Sequence, residues 1–331
     1  MPCTLRAQHD RFALSAPFRI ARGVKTAADV ITVSLSDGEL IGRGEGVPYA
    51  RYGESVESAL AAIEEVRREI ERGADRQQLQ ALLPPGAARN AVDCALWDLE
   101  ARRSGRDVAT LIGKPPPGRI ACAITIVIDS IDAMALAAAR NAAAPVLKIK
   151  VDANDPAAQI QAVRGAAPGA TLIVDPNESW DQRLVETMQP VLVTARVAFL
   201  EQPVAADCDD WLEGFVPAVP ICADEAVHVA EDLAVVAKRY QMVNVKLDKS
   251  GGLTAALELA RAARSHGLGL MTGCMVCSSL SIAPALHLAS LSDYADLDGP
   301  LWLKEDRAGG VGFSAGIIAP PKPGFWGTGC T

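Results

Sequence analysis

Along the first third of the chain apolar and polar positions alternate. From about Arg119 the apolar residues gather into short solid runs separated by helical periodicities. Val30-Ile31-Thr32-Val33-Ser34-Leu35 is β-branched and alternating, Asp37-Gly38 is a hairpin turn signal, and Leu40–Gly46 reads as the return strand. Residues 1 to about 47 therefore read as strands, with 17–24 as a loop among them. Residues 55–71 carry Leu60, Ile63, Val66 and Ile70 on one helical face, and 87–103 repeat that period. This predicts a small α+β domain over residues 1–118.

Residues 119–299 predict alternating strand and helix. The strand candidates are 121–127, 146–151, 171–175, 197–201, 220–223, 242–247, 267–271 and 293–297. Helix candidates between them include 131–141, 156–164, 181–188, 231–239, 253–266 and 278–290. This pattern predicts a closed parallel (β/α)7β barrel of the TIM type, with the N-terminal α+β domain as a cap. The Gly- and Pro-rich tail, about 300–331, is expected to return to that cap.

Five successive β-type runs end in charge. VLKIK closes on Lys148 and Lys150, TLIVD on Asp175, VAFLE on Glu201, VPICAD on Asp224 and MVNVK on Lys246. In a parallel barrel, charges recurring at strand ends form a ring around the mouth. Any one acid at a strand end caps the next helix or faces water. Three in successive units, Asp175, Glu201 and Asp224, would repel unless a cation sat among them. Oxygen-only ligation points to Mg²⁺, with Mn²⁺ as the alternative.

Lys148 and Lys150 are two apart and share a strand face. The alternative is a surface pair on an edge strand, and a barrel has no edges. Burial, mutual repulsion and a nearby metal would lower both pKa values and make a base. Lys246 is expected across the ring; Lys249 falls in the loop before Gly251-Gly252 and has the weaker claim. Two lysines on opposite sides of one carbon suit a two-base reaction, in which one removes a proton and the other returns one to the opposite face. The metal would stabilise the enediolate between these steps. Asp296 and Asp298, at i and i+2, share a face across the barrel from the metal set, where a substrate ammonium is a natural partner. The alternative there is a turn-forming Asp-Gly.

At 331 residues and 50% apolar, the chain can fill one barrel core plus a cap. A net charge of −8 argues against nucleic acid and anionic membranes as partners. The N-terminus lacks a signal-peptide core, and the uncharged stretch from Gly267 to Ser292 reads as a buried strand and helix rather than a membrane span. Cytoplasmic localisation is expected. The eight cysteines include one CxxC, Cys274 and Cys277, without a second pair to make a zinc site; buried free thiols are expected. The four histidines have no ligand spacing, and Gly42, Gly44 and Gly46 do not fit GxGxxG.

With these residues in place, the chain resembles the enolase superfamily in its muconate-lactonising subgroup. Lys148-Ile149-Lys150, Asp175-Pro176-Asn177-Glu178 with Trp180, Glu201-Gln202-Pro203, Ala223-Asp224-Glu225, and Lys246-Leu247-Asp248-Lys249 followed by Gly251-Gly252 match its motifs in order. Within it, Tyr49-Ala50-Arg51-Tyr52-Gly53-Glu54, Gly273-Cys274-Met275 and Asp296-Leu297-Asp298-Gly299-Pro300 resemble dipeptide epimerases of the L-Ala-D/L-Glu type.

The resemblance implies 1,1-proton transfer at the α-carbon of a dipeptide's C-terminal residue, in murein (peptidoglycan) recycling. It implies Lys150 and Lys246 as the acid/base pair, Lys148 as helper and substrate contact, and Asp175, Glu201 and Asp224 as Mg²⁺ ligands. Asp296 and Asp298 would bind the α-ammonium, and Arg22 the glutamyl side chain. Ala226, where many relatives have Ser, and Ser278-Ser279 depart from the pattern near the pocket. The runner-up is a cycloisomerase or o-succinylbenzoate synthase-type lyase, whose anionic substrates the acidic pair would repel. The dipeptide preferred and the oligomeric state, homo-oligomer included, stay open.

Overall fold

The structure, a computed structural model, describes residues 3–328. Its first layer is an antiparallel sheet of β1 (Thr4–Ile20), β2 (Gly23–Asp37) and β3 (Leu40–Gly46). The loop expected at 17–24 is instead a hairpin tip: Phe18 pairs with Lys25, Arg19 with Val24 and Ile20 with Gly23, so only Ala21 and Arg22 turn. Pairing carries both strands well past the domain's core, which local turn residues could not reveal.

Helices α1 (Val56–Glu71), α2 (Arg76–Leu82), α3 (Ala87–Ser104) and α4 (Val108–Ile112) follow. Side-chain caps from Ser55, Asp75 and Asp107 start α1, α2 and α4. The short α2 and α4 have too few turns to show a period and were not expected. Gly42, Gly44 and Gly46 explain how α3 seats on β3. A Cβ on them would lie within 2.3 Å of the main-chain oxygens of Ala95, Ala91 and Ala87 respectively. Helix and strand thus meet backbone to backbone, through glycines every second residue and alanines every fourth.

The short β4 (Ile120–Ala121) precedes eight parallel strands: β5 (Ile124–Ile126), β6 (Val146–Lys150), β7 (Thr171–Asp175), β8 (Val197–Glu201), β9 (Ile221–Ala223), β10 (Met242–Lys246), β11 (Gly269–Gly273) and β12 (Tyr294–Asp296), hydrogen-bonded in that order. The seam is drawn together by Ala123 N donating to Ala295 O at 2.8 Å. The run expected at 121–127 is split between β4 and β5. β11 starts two residues later than expected because Gly267, at φ 75, makes the turn out of the preceding helix.

The crossovers carry α5 (Ile131–Arg140), α6 (Pro156–Ala166), α7 (Gln182–Thr194), α8 (Leu233–Arg239), α9 (Leu247–Ser250), α10 (Leu253–Ser265) and α11 (Ser279–Ala289). β8 and β9 are joined without an α-helix, through a 3₁₀ turn at Asp210–Leu212. α7 outruns its expected end because buried Leu192 holds it to the core beyond Pro190. The uncharged stretch from Gly267 is β11 and α11, largely buried, and no helix among the described residues is long and apolar enough to cross a membrane. After the barrel, β13 (Gly312–Ser314) pairs with β14 (Ile317–Ala319), and β14 pairs with β4. The tail also reaches the cap: Arg307 Nη2 bonds Glu45 and Asp10, and Trp326 Nε1 donates to Arg43 O at 2.8 Å.

The spine of the cap–barrel contact is α3. Arg89 donates to Ser250 O, Asp93 accepts from Thr254, and Trp97 Nε1 donates to Thr254 Oγ1 at 3.0 Å. Asp248 Oδ1 accepts from Val47 N and Asn90 Nδ2, both at 2.8 Å. Burial pushes this carboxyl up to about 7, against those hydrogen bonds. Since the folded pKa exceeds the ordinary 3.8, the group's contribution to stability is full below pH 3.8 and lost as pH rises towards about 7. An uncharged amide accepts the same bonds without that loss. Asp248→Asn is therefore expected to gain on the native chain by on the order of 2 kcal/mol between pH 5 and pH 8, at about 1.4 kcal/mol per pKa unit. Urea unfolding at the two pH values checks this; parallel stabilities would contradict it.

Candidate active site

The period of two along each barrel strand builds the site. The barrel's floor is a plug of Val146, Ile173, Phe199, Cys222, Met242 and Met271, packed with Tyr294. Counting on in steps of two leads to Lys148 and Lys150, Asp175, Glu201, Asp224, Asn244 and Lys246, Gly273, and Asp296 and Asp298. Each strand's inner face thus runs from apolar floor to polar mouth. The three acids occupy the neighbouring strands β7 and β8 and the end of β9. Lys150 on β6 and Lys246 on β10 flank them, four strands apart in a ring of eight and therefore on opposite sides. Gly273 keeps this open: a Cβ there would lie 2.5 Å from Asn244 Oδ1 and 3.0 Å from Lys246 Cε.

Lys148 Nζ lies 2.7 Å from Asp296 Oδ2, 2.7 Å from Glu201 Oε2 and 3.1 Å from Asp175 Oδ2. Asp296, on β12 across the ring from Glu201 on β8, is nonetheless linked to the acids through this one ammonium. Lys150 Nζ is 2.5 Å from Asp175 Oδ2, and Lys246 Nζ is 2.7 Å from Asp224 Oδ2. Lys249, discounted as a loop residue, sits on the one-turn α9, 1% exposed; its Nζ meets Asp224 Oδ1 at 2.7 Å and Asn244 O at 2.9 Å. The turn after β10 folds it back against the outer side of Asp224, which strand periodicity could not show.

These contacts set the protonation states. Burial works against the Lys148 ammonium, but Asp296, Glu201 and Asp175 outweigh it and hold the pKa well above its ordinary value. The lowering expected from burial and repulsion does not occur at Lys148, because the carboxylates are nearer than the other amines. Lys246 is likewise raised, by Asp224 against burial. Lys249 is lowered, chiefly by burial. Burial also opposes ionisation of Asp175, yet Lys150 and Lys148 bring it down to about 2. Burial opposes ionisation of Asp224 too, and Lys246 and Lys249 outweigh it, holding that carboxyl well below its ordinary value. Glu201 is pushed up to about 7 by burial and Asp175, and Asp298 to about 6 by burial and Asp296.

Among the described residues no cluster of three or more His, Cys, Asp or Glu side chains is drawn together in metal-ligand geometry; ammonium groups stand between the acids. The residues nevertheless fit a hard cation. All candidate donors are oxygens, and Asp175, Glu201 and Asp224 are at most 1% exposed. Glu201 Oε2 accepts no well-directed hydrogen bond. Lys148 Nζ marks where positive charge already sits between two of the acids.

Above the acids opens a cavity of about 530 Å³, lined by both flanking lysines, Asp296, Asp298, Cys274 and the cap's hairpin tip. Arg22 is on that tip, its guanidinium engaged 2.9 Å from Glu178 Oε2, 2.5 Å from Glu225 Oε1 and 3.2 Å from Tyr49 OH. Arg51 holds Glu178 through two bonds of 2.9 Å. Lys25 lies in the same wall, its ammonium 4.7 Å from the centre of the Tyr49 ring and without an ion pair among the described residues. Burial lowers its pKa. Lys25 lies just past the loop expected at 17–24 and was not singled out from the sequence; the strand pairing that aims it inward was the missing signal. Cys274 and Cys277 are free thiols; Cys277 is buried as expected, Cys274 only partly, Cys208 is exposed, and Cys330 lies outside the described residues.

A capped parallel barrel with acids and amines ringing its C-terminal mouth is the architecture of the enolase superfamily. The chain belongs to it: residues 3–113 match the mandelate racemase / muconate lactonizing enzyme N-terminal domain and residues 132–325 the enolase C-terminal domain-like family. It is 46% identical to the L-Ala-D/L-Glu epimerase of Escherichia coli (strain K12), over 95% of this chain and 99% of that one. It is 42% identical to an N-acetyl-D-glutamate racemase of Pseudoalteromonas sp, over 90% of this chain and 95% of that protein. Among solved structures, an enolase family member from Agrobacterium tumefaciens with homology to dipeptide epimerases, holding sodium and L-Ala-L-Glu, superposes with a TM-score of 0.96 at 45% identity. That match covers 98% of this chain and 100% of the other.

Proposed function

We propose that this chain is a Mg²⁺-dependent epimerase of dipeptides ending in glutamate, interconverting L-Ala-L-Glu and L-Ala-D-Glu, such as murein peptides release. The observation that carries the reading is the diametric placement of Lys150 and Lys246 over one cavity. One amine takes the α-proton from one face of the C-terminal residue, and the other, as ammonium, delivers a proton to the opposite face. Asp175, Glu201 and Asp224 would hold the cation, which would supply Lewis-acid stabilisation of the charge developing on the substrate carboxylate. Lys148, held protonated, adds fixed positive charge beside them.

Asp296 and Asp298 distinguish a dipeptide from an N-acylated amino acid. Asp296 Oδ1 is buried without a hydrogen-bond partner, an acceptor suited to a peptide's ammonium, which an N-acetyl group lacks. For the glutamyl carboxylate, Arg22 has two acidic partners already, so Lys25 is the cation left to receive it. On this reading residues 1–118 and the tail from about 300 form the specificity cap, and 119–299 the catalytic barrel. The described thiols, all unpaired, support a cytoplasmic setting.

The test is incubation with Mg²⁺ in deuterium oxide. L-Ala-L-Glu should invert and take up deuterium at the glutamyl α-carbon, L-Ala-L-Leu far more slowly, and N-acetyl-L-glutamate not at all. Faster turnover of N-acetylglutamate would overturn the dipeptide reading. Lys25→Leu should raise KM for L-Ala-L-Glu about 10- to 100-fold, the worth of one charge-assisted hydrogen bond, with little change for L-Ala-L-Leu.

A further inference from the structure

We infer that Gln202, oriented by Tyr240 and Asp209, is a positioning residue that fixes the spacing of the three acid-bearing strand ends; the inference rests on the reading that those acids hold the cation. Gln202 follows Glu201 directly, is 0% exposed and has φ 31, in the left-handed region that side chains rarely adopt. Such strain persists where the surroundings hold it, here through every polar atom of the residue.

Its main-chain N donates to Cys222 O and its carbonyl accepts from Glu178 N, both at 2.9 Å. Nε2 donates to Val204 O and Tyr240 OH, both at 2.9 Å. Oε1 accepts from Asp224 N at 2.9 Å and Ala226 N at 3.1 Å. One buried residue thereby ties the chain just past β7 to the end of β8 and to the chain around Asp224.

The direction of the amide is dictated from outside the site. Arg239 Nη1 lies 2.5 Å from Asp209 Oδ1, and Tyr240 OH donates to Asp209 Oδ2 at 2.6 Å. With its proton committed to Asp209, the tyrosine oxygen can only accept. It therefore selects the NH₂ edge of Gln202, and the carbonyl edge must turn to Asp224 and Ala226. A carboxylate at this position would face Val204 O with no proton to give. Gln202 touches neither the cavity nor the reacting atoms, so its effect passes through Asp224 and its neighbours.

The experiment measures Mn²⁺ affinity of the full chain by electron paramagnetic resonance, with thermal melting as a check on folding. The native chain should bind Mn²⁺, and Asp224→Asn should lose most of that affinity. Tyr240→Phe and Gln202→Glu should each weaken binding about tenfold, the usual cost of removing a group that orients a ligand. Trp97→Phe, which breaks a hydrogen bond to Thr254 remote from the acids, should keep the native affinity. If Tyr240→Phe and Gln202→Glu bind Mn²⁺ like the native chain while Asp224→Asn does not, the positioning role is wrong and the ligand reading stands. A loss in Trp97→Phe equal to theirs would also overturn it, as a general stability effect. A native chain that binds no Mn²⁺, or Asp224→Asn binding it normally, overturns both. Should Gln202→Glu fail to fold, Tyr240→Phe decides alone.

Discussion

Lys246→Ala is expected to lose epimerisation of L-Ala-L-Glu by about 10²- to 10⁴-fold, the range for removing a general acid or base. It should still wash solvent deuterium into one diastereomer. Lys150 remains on its own side of the cavity, takes a proton from that face and returns one to the same face, so label enters without inversion. Lys150→Ala should show the mirror behaviour, labelling only the other diastereomer. The variants are suited to the test because neither strands an acid. Asp224 keeps Lys249 at 2.7 Å when Lys246 is removed, and Asp175 keeps Lys148 at 3.1 Å when Lys150 is removed. Proton NMR of the α-position, with each diastereomer run separately, gives the answer. If both variants label both diastereomers, or either still inverts at the native rate, the amines do not divide the two faces.

Chelation is expected to have an effect as large. Dialysis against EDTA should abolish turnover, and Mg²⁺ or Mn²⁺ should restore it, because an all-oxygen set at Asp175, Glu201 and Asp224 suits hard cations. Asp224→Asn should resist rescue at Mg²⁺ concentrations that saturate the native chain. Binding to the folded state alone also stabilises it, by about 2.7 kcal/mol at a hundred times Kd. The native melting temperature should therefore climb with Mg²⁺, while that of Asp224→Asn stays flat. Full activity after exhaustive chelation would contradict the ligand set, whatever the melting curves show.

The barrel was legible because its signal is redundant. Eight short apolar runs, most closing on a charged residue, report the same inner face, and an error of two residues in β11 leaves the order intact. The ring of charge was legible for the same reason: on a strand, position i+2 from a buried residue is buried too, so Asp175 follows Ile173 and Lys148 follows Val146. Contacts made after the strand ends were not legible. Lys249 depends on how one helical turn folds back, and Lys25 on a hairpin pairing that begins far down β1. The protonation of Lys148 was misjudged since spacing along a strand reveals neighbouring amines but not carboxylates arriving from other strands. The link between Asp296 and the acids was hidden for a related reason: strand number gives the angle around a barrel, whereas a long lysine stem can reach across it.

The opposed strands β6 and β10 bear on the direction of flux. With an amine on either flank, either hand of the substrate can give up its α-proton. Such a catalyst hastens mixing without biasing it: the final ratio is that of the free diastereomers in water. Net flow from one hand to the other then requires a stereoselective neighbour that drains one of them, so directionality belongs to whatever consumes the product rather than to this barrel.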